Sequence, residues 1–334
     1  MCQVLEKPLF YEVIEKEKFD LVIVDIFINY CVLGIIPMLK APSIFVTTMS
    51  APSSLSTVFG NRLPPSFVPN TLFKYTDRMS FSERFINTVF DSLLAFMTGP
   101  LFLTKSENLY KQYLPNGNLL PGIDEIHDNS SMLFMNSHFT LNYPRPLLPD
   151  VIEVGGMHTR PPKKLPKDLD DFLSNSGKDG FIFFSLGSIV KAKNMPENYR
   201  KVFLNVFSGH PNVRLFMTHG GLLSTQESVY HGVPVLGLPL FGMKSYAQAE
   251  RGGYAKMVEI LDITEEKLES AILELLKTQC NYAQKAKELS KLVKDLPQTP
   301  LEKAVYWAEY VLRHKGAPHL RSAARDLIFP THMW

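Results

Sequence analysis

Cysteine is scarce in this chain: Cys2, Cys31 and Cys280 are the three in 334 residues. They lie far apart and form no CxxC pair. That excludes a zinc site and a disulfide framework, and the expectation is of free buried thiols. Long apolar runs are also missing. A membrane span needs ~18 consecutive apolar residues, and the longest candidates are 26–39 and 89–103. The first reads as a buried helix; the second is interrupted by Asp91 and by Gly99-Pro100. The start, MCQVLEKPLFYEV, has early acidic residues and no apolar centre, so it is not a signal peptide. An excess of one charge is absent as well: 35 Lys and Arg against 33 Asp and Glu leave a net charge of +2. The lysine-rich stretch 285–294 mixes in an acid and apolar residues, as a solvated helix does. With no clustered basic face, a nucleic-acid partner is excluded. There are no repeats and no low-complexity tract.

What is present is 45% hydrophobic content, enough for two domains of ordinary size. Residues 19–25 (FDLVIVD) form a short apolar run ending in Asp and read as a buried parallel strand. A helix is expected over 26–39, then a strand over 43–49 (SIFVTTM), which makes a βαβ unit. Residues 50–130 are less regular, with a helix over 80–97; a short strand follows at 132–136. Residues 151–166 (VIEVGGMHTRPPKKLP) carry two glycines and three prolines and mark a domain boundary. Beyond it, strands are expected over 180–186, 213–218 and 233–238. Helices are expected over 168–174, 196–207, 224–231, 265–278, 281–296 and 300–314. Alternating strands and helices imply two α/β domains with mostly parallel sheets.

Chemistry concentrates in residues 213–242, VRLFMTHGGLLSTQESVYHGVPVLGLPLFG. A strand delivers His219 to its carboxyl end. Gly220 and Gly221 let backbone approach a ligand closely. A helix then opens, with Ser224 and Thr225 at its mouth, where free N–H groups and the helix dipole favour phosphate. Glu227, one turn further in, suits a pair of ribose hydroxyls. The same residues also fit a ligand-free account: Ser224 and Glu227 as a capping box, the glycines as a turn, His219 as a core histidine.

This segment closely resembles the signature of animal UDP-glycosyltransferases, the UDP-glucuronosyltransferase family, particularly its insect-type members. FDLVIVD, VGGMHTRPPKKLP, FIFFSLGSIVKAKNMPENYRKVF and HKGAPHLRSAARDL also stand in family order, so the resemblance covers nearly the whole chain. It implies a GT-B architecture, two Rossmann-like doubly wound domains facing each other across a cleft. Residues 1–156 would form an acceptor domain, 157–166 a linker, and 167–334 a UDP-sugar domain ending in helices. It also implies that His219, Gly220, Gly221, Ser224 and Thr225 meet the diphosphate side of a UDP-sugar, that Glu227 holds ribose, and that Gly187 and Ser188 close over the diphosphate. Asp25 matches the aspartate of a catalytic dyad; read without the resemblance, it caps the element that follows. The UDP-sugar, UDP-glucose or UDP-glucuronate, is a co-substrate, with no metal and no further cofactor. The acceptor would be a small lipophilic hydroxyl compound, the location the lumenal face of the endoplasmic reticulum membrane, and oligomers with full-length relatives are a further implication.

Four departures qualify the resemblance. The family's histidine base precedes the aspartate, yet the first histidine here is His127. Phe207 runs through Ser208-Gly209 into His210-Pro211-Asn212, where the family carries a longer block with a tryptophan that stacks on uracil. Met243-Lys244 stand where the family places the Asp-Gln that binds sugar hydroxyls. Both the leader and the carboxyl-terminal span are missing. Both domains are therefore expected to be incomplete, as in a truncated or exon-skipped form, and the chain is expected to be impaired in transfer.

Overall fold

The computed structural model describes residues 5, 14, 16–27, 29–98, 102–176, 181–187, 194–209, 215–239, 244–277 and 279–326. Two four-stranded sheets carry the fold, and every pairing in them is parallel. The first comprises β1 (Val22–Asp25), β2 (Ser43–Thr47), β3 (Met132–Met135) and β4 (Val151–Glu153); the second comprises β5 (Ile182–Ser185), β6 (Leu215–Thr218), β7 (Val235–Gly237) and β8 (Ala255–Met257). Each sheet adds its strands in chain order. The reversal of direction that marks a doubly wound sheet is not among the described strands.

Helices fill the crossovers: α1 (Ile36–Leu39), α2 (Ser53–Val58), α3 (Phe81–Thr98), α4 (Thr104–Tyr113) and α5 (Ile123–Asn129) in the first half. Then come α6 (Lys167–Asn175), α7 (Glu197–Gly209), α8 (Leu222–His231), α9 (Lys244–Arg251), α10 (Glu265–Lys277), α11 (Gln279–Lys294) and α12 (Pro300–Arg313). The helix expected over 26–39 is instead a 3-10 segment, Tyr30–Ile35, followed by the single turn of α1. Pro37 in the first turn of α1 offers no N–H to continue a helix from before it. Cys31, expected as a free thiol, is disulfide-bonded. Residues 151–153, expected as boundary, form β4, because Val151 and Ile152 each fill a different face of the sheet.

Parallel strands must be covered on both sides, and period-2 alternation shows how. Phe45, Leu133, Met135 and Val151 point into a cluster with Leu33, Ile35, Tyr110 and Ile126, beneath the 3-10 segment, α4 and α5. Ile44, Met132, Phe134 and Ile152 point the other way, against Ala304, Trp307 and Val311 of α12. A division by chain order would place α12 with residues 167–334; its packing is with the first sheet. Thr299 and Glu302 form the expected capping box at its start. Residues 314–326 continue along the first unit. There Arg325 Nη2 donates to Asp150 Oδ2 at 2.6 Å with both side chains almost wholly buried, and Nη1 donates to the Ser130 carbonyl at 3.1 Å. In the second sheet, Leu215, Met217 and Leu236 face α7 and α10, whereas Val235 faces α8, α9 and α11. No described helix is long and apolar enough to cross a membrane.

Candidate functional site

The carboxyl ends of parallel strands are where ligands bind in open α/β sheets, and the singled-out residues gather there. β6 ends at Thr218, and α8 begins at Leu222 with Gly221 as its N-cap. No side chain caps α8, so the expected Ser224–Glu227 capping box is not formed. The helix starts two residues earlier than its spacing suggested, with Gly221 rather than Ser224 at the N-cap. Gly220 sits at φ +71°, and its amide donates to Thr218 Oγ1 at 3.2 Å. With no side chain claiming them, the first amides of α8 are available to an anion. At the other end, Gly232 closes α8 in the left-handed conformation, and the Val233 amide reaches back to the Ser228 carbonyl at 2.8 Å.

The imidazole of His219 lies between Gly187 and Gly221. A Cβ on Gly187 would stand 2.4 Å from its Cε1, and a Cβ on Gly221 2.6 Å from its Nε2. Both positions therefore need glycine to seat the ring, and Gly187 adds a φ of +71°. Burial pushes the His219 pKa below the ordinary imidazole range.

The remaining positions separate. Glu227 is exposed on α8, its carboxylate open to a ligand. Ser224 is half-buried in the first turn, and its carbonyl accepts the Ser228 hydroxyl. Thr225 is buried; its hydroxyl donates to the Gly221 carbonyl at 3.1 Å and so turns into the helix. Ser188, Met243 and the Lys244 side chain fall outside the described residues. Asp25 is exposed at the end of β1, where Oδ1 accepts the Phe27 amide at 2.9 Å. That local cap links it to neither His219 nor α8. Among the described residues no group of three or more His, Cys, Asp or Glu side chains is placed to hold a metal ion.

Two residues not anticipated from the sequence bring the first sheet to α8. Asn136, directly after β3, accepts a hydrogen bond from Gln226 Nε2 at 2.8 Å. His158, shortly after β4, reaches the Leu223 carbonyl at 3.4 Å and stands 3.9 Å from Glu227 Oε1. Their signal was positional: each follows the carboxyl end of a parallel strand, but β4 itself was read as boundary. Two surface ion pairs also join the halves, Lys74 with Glu259 at 2.6 Å and Arg251 with Asp77 at 3.0 Å.

Known proteins share the fold. The glycotransferase of kitacinnamycin superposes with a TM-score of 0.58 at 14% identity, covering 94% of this chain and 80% of that one. Phytolacca americana UGT2, solved with UDP-2fluoro-glucose and pterostilbene, gives 0.55 at 14% identity, with 91% and 79% covered. At such low identity these likenesses establish the GT-B fold alone. In sequence, the UDP-glycosyltransferase UGT5 of Dactylopius coccus is 34% identical over 347 residues, 93% of this chain and 65% of that protein. The 2-hydroxyacylsphingosine 1-beta-galactosyltransferase of Mus musculus is 33% identical over 95% of this chain and 63% of its own length. The human UDP-glucuronosyltransferase 2B17 is 30% identical, with 98% and 68% covered. The chain thus spans about two thirds of the length of the curated relatives it matches. The family model for UDP-glucoronosyl and UDP-glucosyl transferase matches in two stretches, residues 1–208 and 199–332, which meet within α7. That is also where the resemblance expects a longer block. With both stretches together covering almost all of its residues, the chain belongs to the UDP-glucoronosyl and UDP-glucosyl transferase family.

Proposed function

We propose that this protein binds a UDP-sugar at the carboxyl ends of β5 and β6, as part of a glycosyl transfer to a hydroxyl of a small lipophilic acceptor. The carrying observation is the seat of His219 between Gly187 and Gly221, beside the uncapped start of α8. In this reading the imidazole and the first amides of α8 would meet the diphosphate, and Glu227, exposed one turn further along α8, would hold the ribose diol. In the reaction, the acceptor oxygen attacks the anomeric carbon, the bond to the diphosphate oxygen breaks, and UDP departs with its charge stabilised by these donors. The acceptor proton passes to a base, and inversion follows from direct displacement. No metal or additional cofactor enters this scheme. Asp25 would serve as the dyad aspartate, and Met243-Lys244, standing where the family places Asp-Gln, would leave transfer by this chain impaired while nucleotide binding is retained. The relatives' names cover glucuronosyl, glucosyl and galactosyl transfer, so UDP-glucose and UDP-glucuronate are both donors to try. Placement in the lumen of the endoplasmic reticulum belongs to the same reading.

Isothermal titration with UDP, alongside turnover assays with both UDP-sugars, tests this. Expected are UDP binding that His219→Ala weakens about tenfold or more, and turnover near background. Absence of UDP binding would remove the reading; vigorous turnover would remove the impairment.

A second reading, that the chain acts as a partner of longer relatives, is favoured by α3. Its outward side carries Phe85, Ile86, Val89, Leu93 and Phe96, all exposed, while the side turned inward holds Asn87, which donates to the Pro65 and Val68 carbonyls. Co-sedimentation with a full-length relative distinguishes the two readings, and the partner role fails if both proteins sediment alone.

A further inference from the structure

We infer that His158 is a positioning residue of the nucleotide site: held by the turn after β4, it aims the Glu227 carboxylate. The inference rests on the UDP-binding reading above and extends it to the other half of the molecule.

The placement begins in the backbone. β4 ends at Glu153, and the Val154 and Gly155 amides continue the pairing by donating to the Met135 and Ser137 carbonyls at 2.9 Å each. Gly155 has no room for a side chain: a Cβ there would lie 2.5 Å from the Ser137 carbonyl oxygen. Gly156 then turns at φ +91°, and Thr159 fastens the turn, its Oγ1 donating to the Gly156 carbonyl at 2.7 Å. The turn leaves His158 pointing at α8. Its Nε2 lies 3.4 Å from the Leu223 carbonyl and 3.9 Å from Glu227 Oε1. Beside it, Gln226 is buried and bonded to Asn136 at 2.8 Å, so the same stretch of α8 is gripped twice from the first sheet.

This geometry has a chemical consequence. A carboxylate on an exposed helix face samples several rotamers, and ordering it on ligand binding costs free energy. An imidazole near one carboxylate oxygen narrows that sampling and leaves the other oxygen to accept from a vicinal diol. His158 thus acts on ribose through Glu227 and makes no contact with the reacting atoms.

The test uses the full chain, titrated with UDP and with 2′,3′-dideoxy-UDP, which lacks the diol. His158→Met fills the same volume without a donor; His158→Gln keeps an N–H near the position of Nε2. Expected is a loss of about five- to tenfold in UDP affinity for His158→Met, an affinity near wild type for His158→Gln, and no difference among the three proteins toward the dideoxy nucleotide. Wild-type affinity for UDP in the Met variant would overturn the inference alone. An equal loss toward both nucleotides would also overturn it, since the role would then be structural. Failure of the wild-type chain to bind UDP would instead sink the underlying reading, and this one with it.

Discussion

The two sheets have the same topology and different cover. Among the described strands both start on an edge, where Ile23 on β1 and Phe183 on β5 are more than half exposed. Inside, they diverge. In the first sheet, Ile44 and Met132 are completely buried beneath α12, which returns from the far end of the chain and is followed by the strap ending at Arg325, and Phe45, Leu133 and Met135 are completely buried on the other face beneath α4 and α5. In the second, alternate residues of β5 part ways: Ile182 and Phe184 pack against the core, whereas the half-exposed Phe183 stacks on the ring of Phe216 at 5.3 Å. The first unit holds the buried polar groups whose loss is costly. The second holds the glycine-seated histidine, where tight backbone approach takes the place of bulk.

Three perturbations test that contrast. The largest should be Arg325→Ala, which leaves Asp150 buried without its partner; a loss of about 3–5 kcal/mol is expected, read by chemical denaturation. If the first unit is the one stabilised by the strap, tryptophan fluorescence from Trp307 on α12 should report the early transition. An unchanged midpoint would show that the strap contributes nothing. Next comes acid. Burial pushes His127 and His138 down to about 4, with Arg325 adding to the first shift and Lys303 to the second. Unfolded histidines titrate near 6.5, so the unfolded chain binds more protons between the two values. Stability is therefore complete above about pH 6.5 and falls as the pH drops toward 4, by about 3 kcal/mol for each histidine at the limit. Melting temperature against pH measures this, and His127→Gln should flatten the slope. Smallest is Phe183→Thr on the open β5 edge. It should change the melting temperature little, within about 0.5 kcal/mol, while reducing self-association in light scattering. A large destabilisation would mean that β5 is covered after all.

Much of the architecture could be read locally. FDLVIVD, SIFVTTM, GFIFFSL and VRLFMT are apolar runs bounded by turn residues, and each contains a strand. Thr299 through Glu302 announced their own helix start. Elsewhere tertiary context overrode pattern. The run at 26–39 has the apolar content of a helix, yet Pro37 splits it and Gly34 lies against the ring of Tyr110. β4 and β8, three residues each, were not among the expected strands. The capping box expected at Ser224 yielded to a helix that began at Leu222.

By itself, the sequence determined most of the strands and the long helices, the Gly-Gly turn beside His219, and the family, because these depend on neighbours in the chain. Only the tertiary structure decided that α12 belongs to the first sheet, that Arg325 meets Asp150, and that His158 and Asn136 reach α8. The hydrogen bonds among them join residues from 65 to 175 positions apart, and all these contacts arise from the need to cover both faces of a parallel sheet and to satisfy what is buried. No local pattern of side chains encodes that requirement.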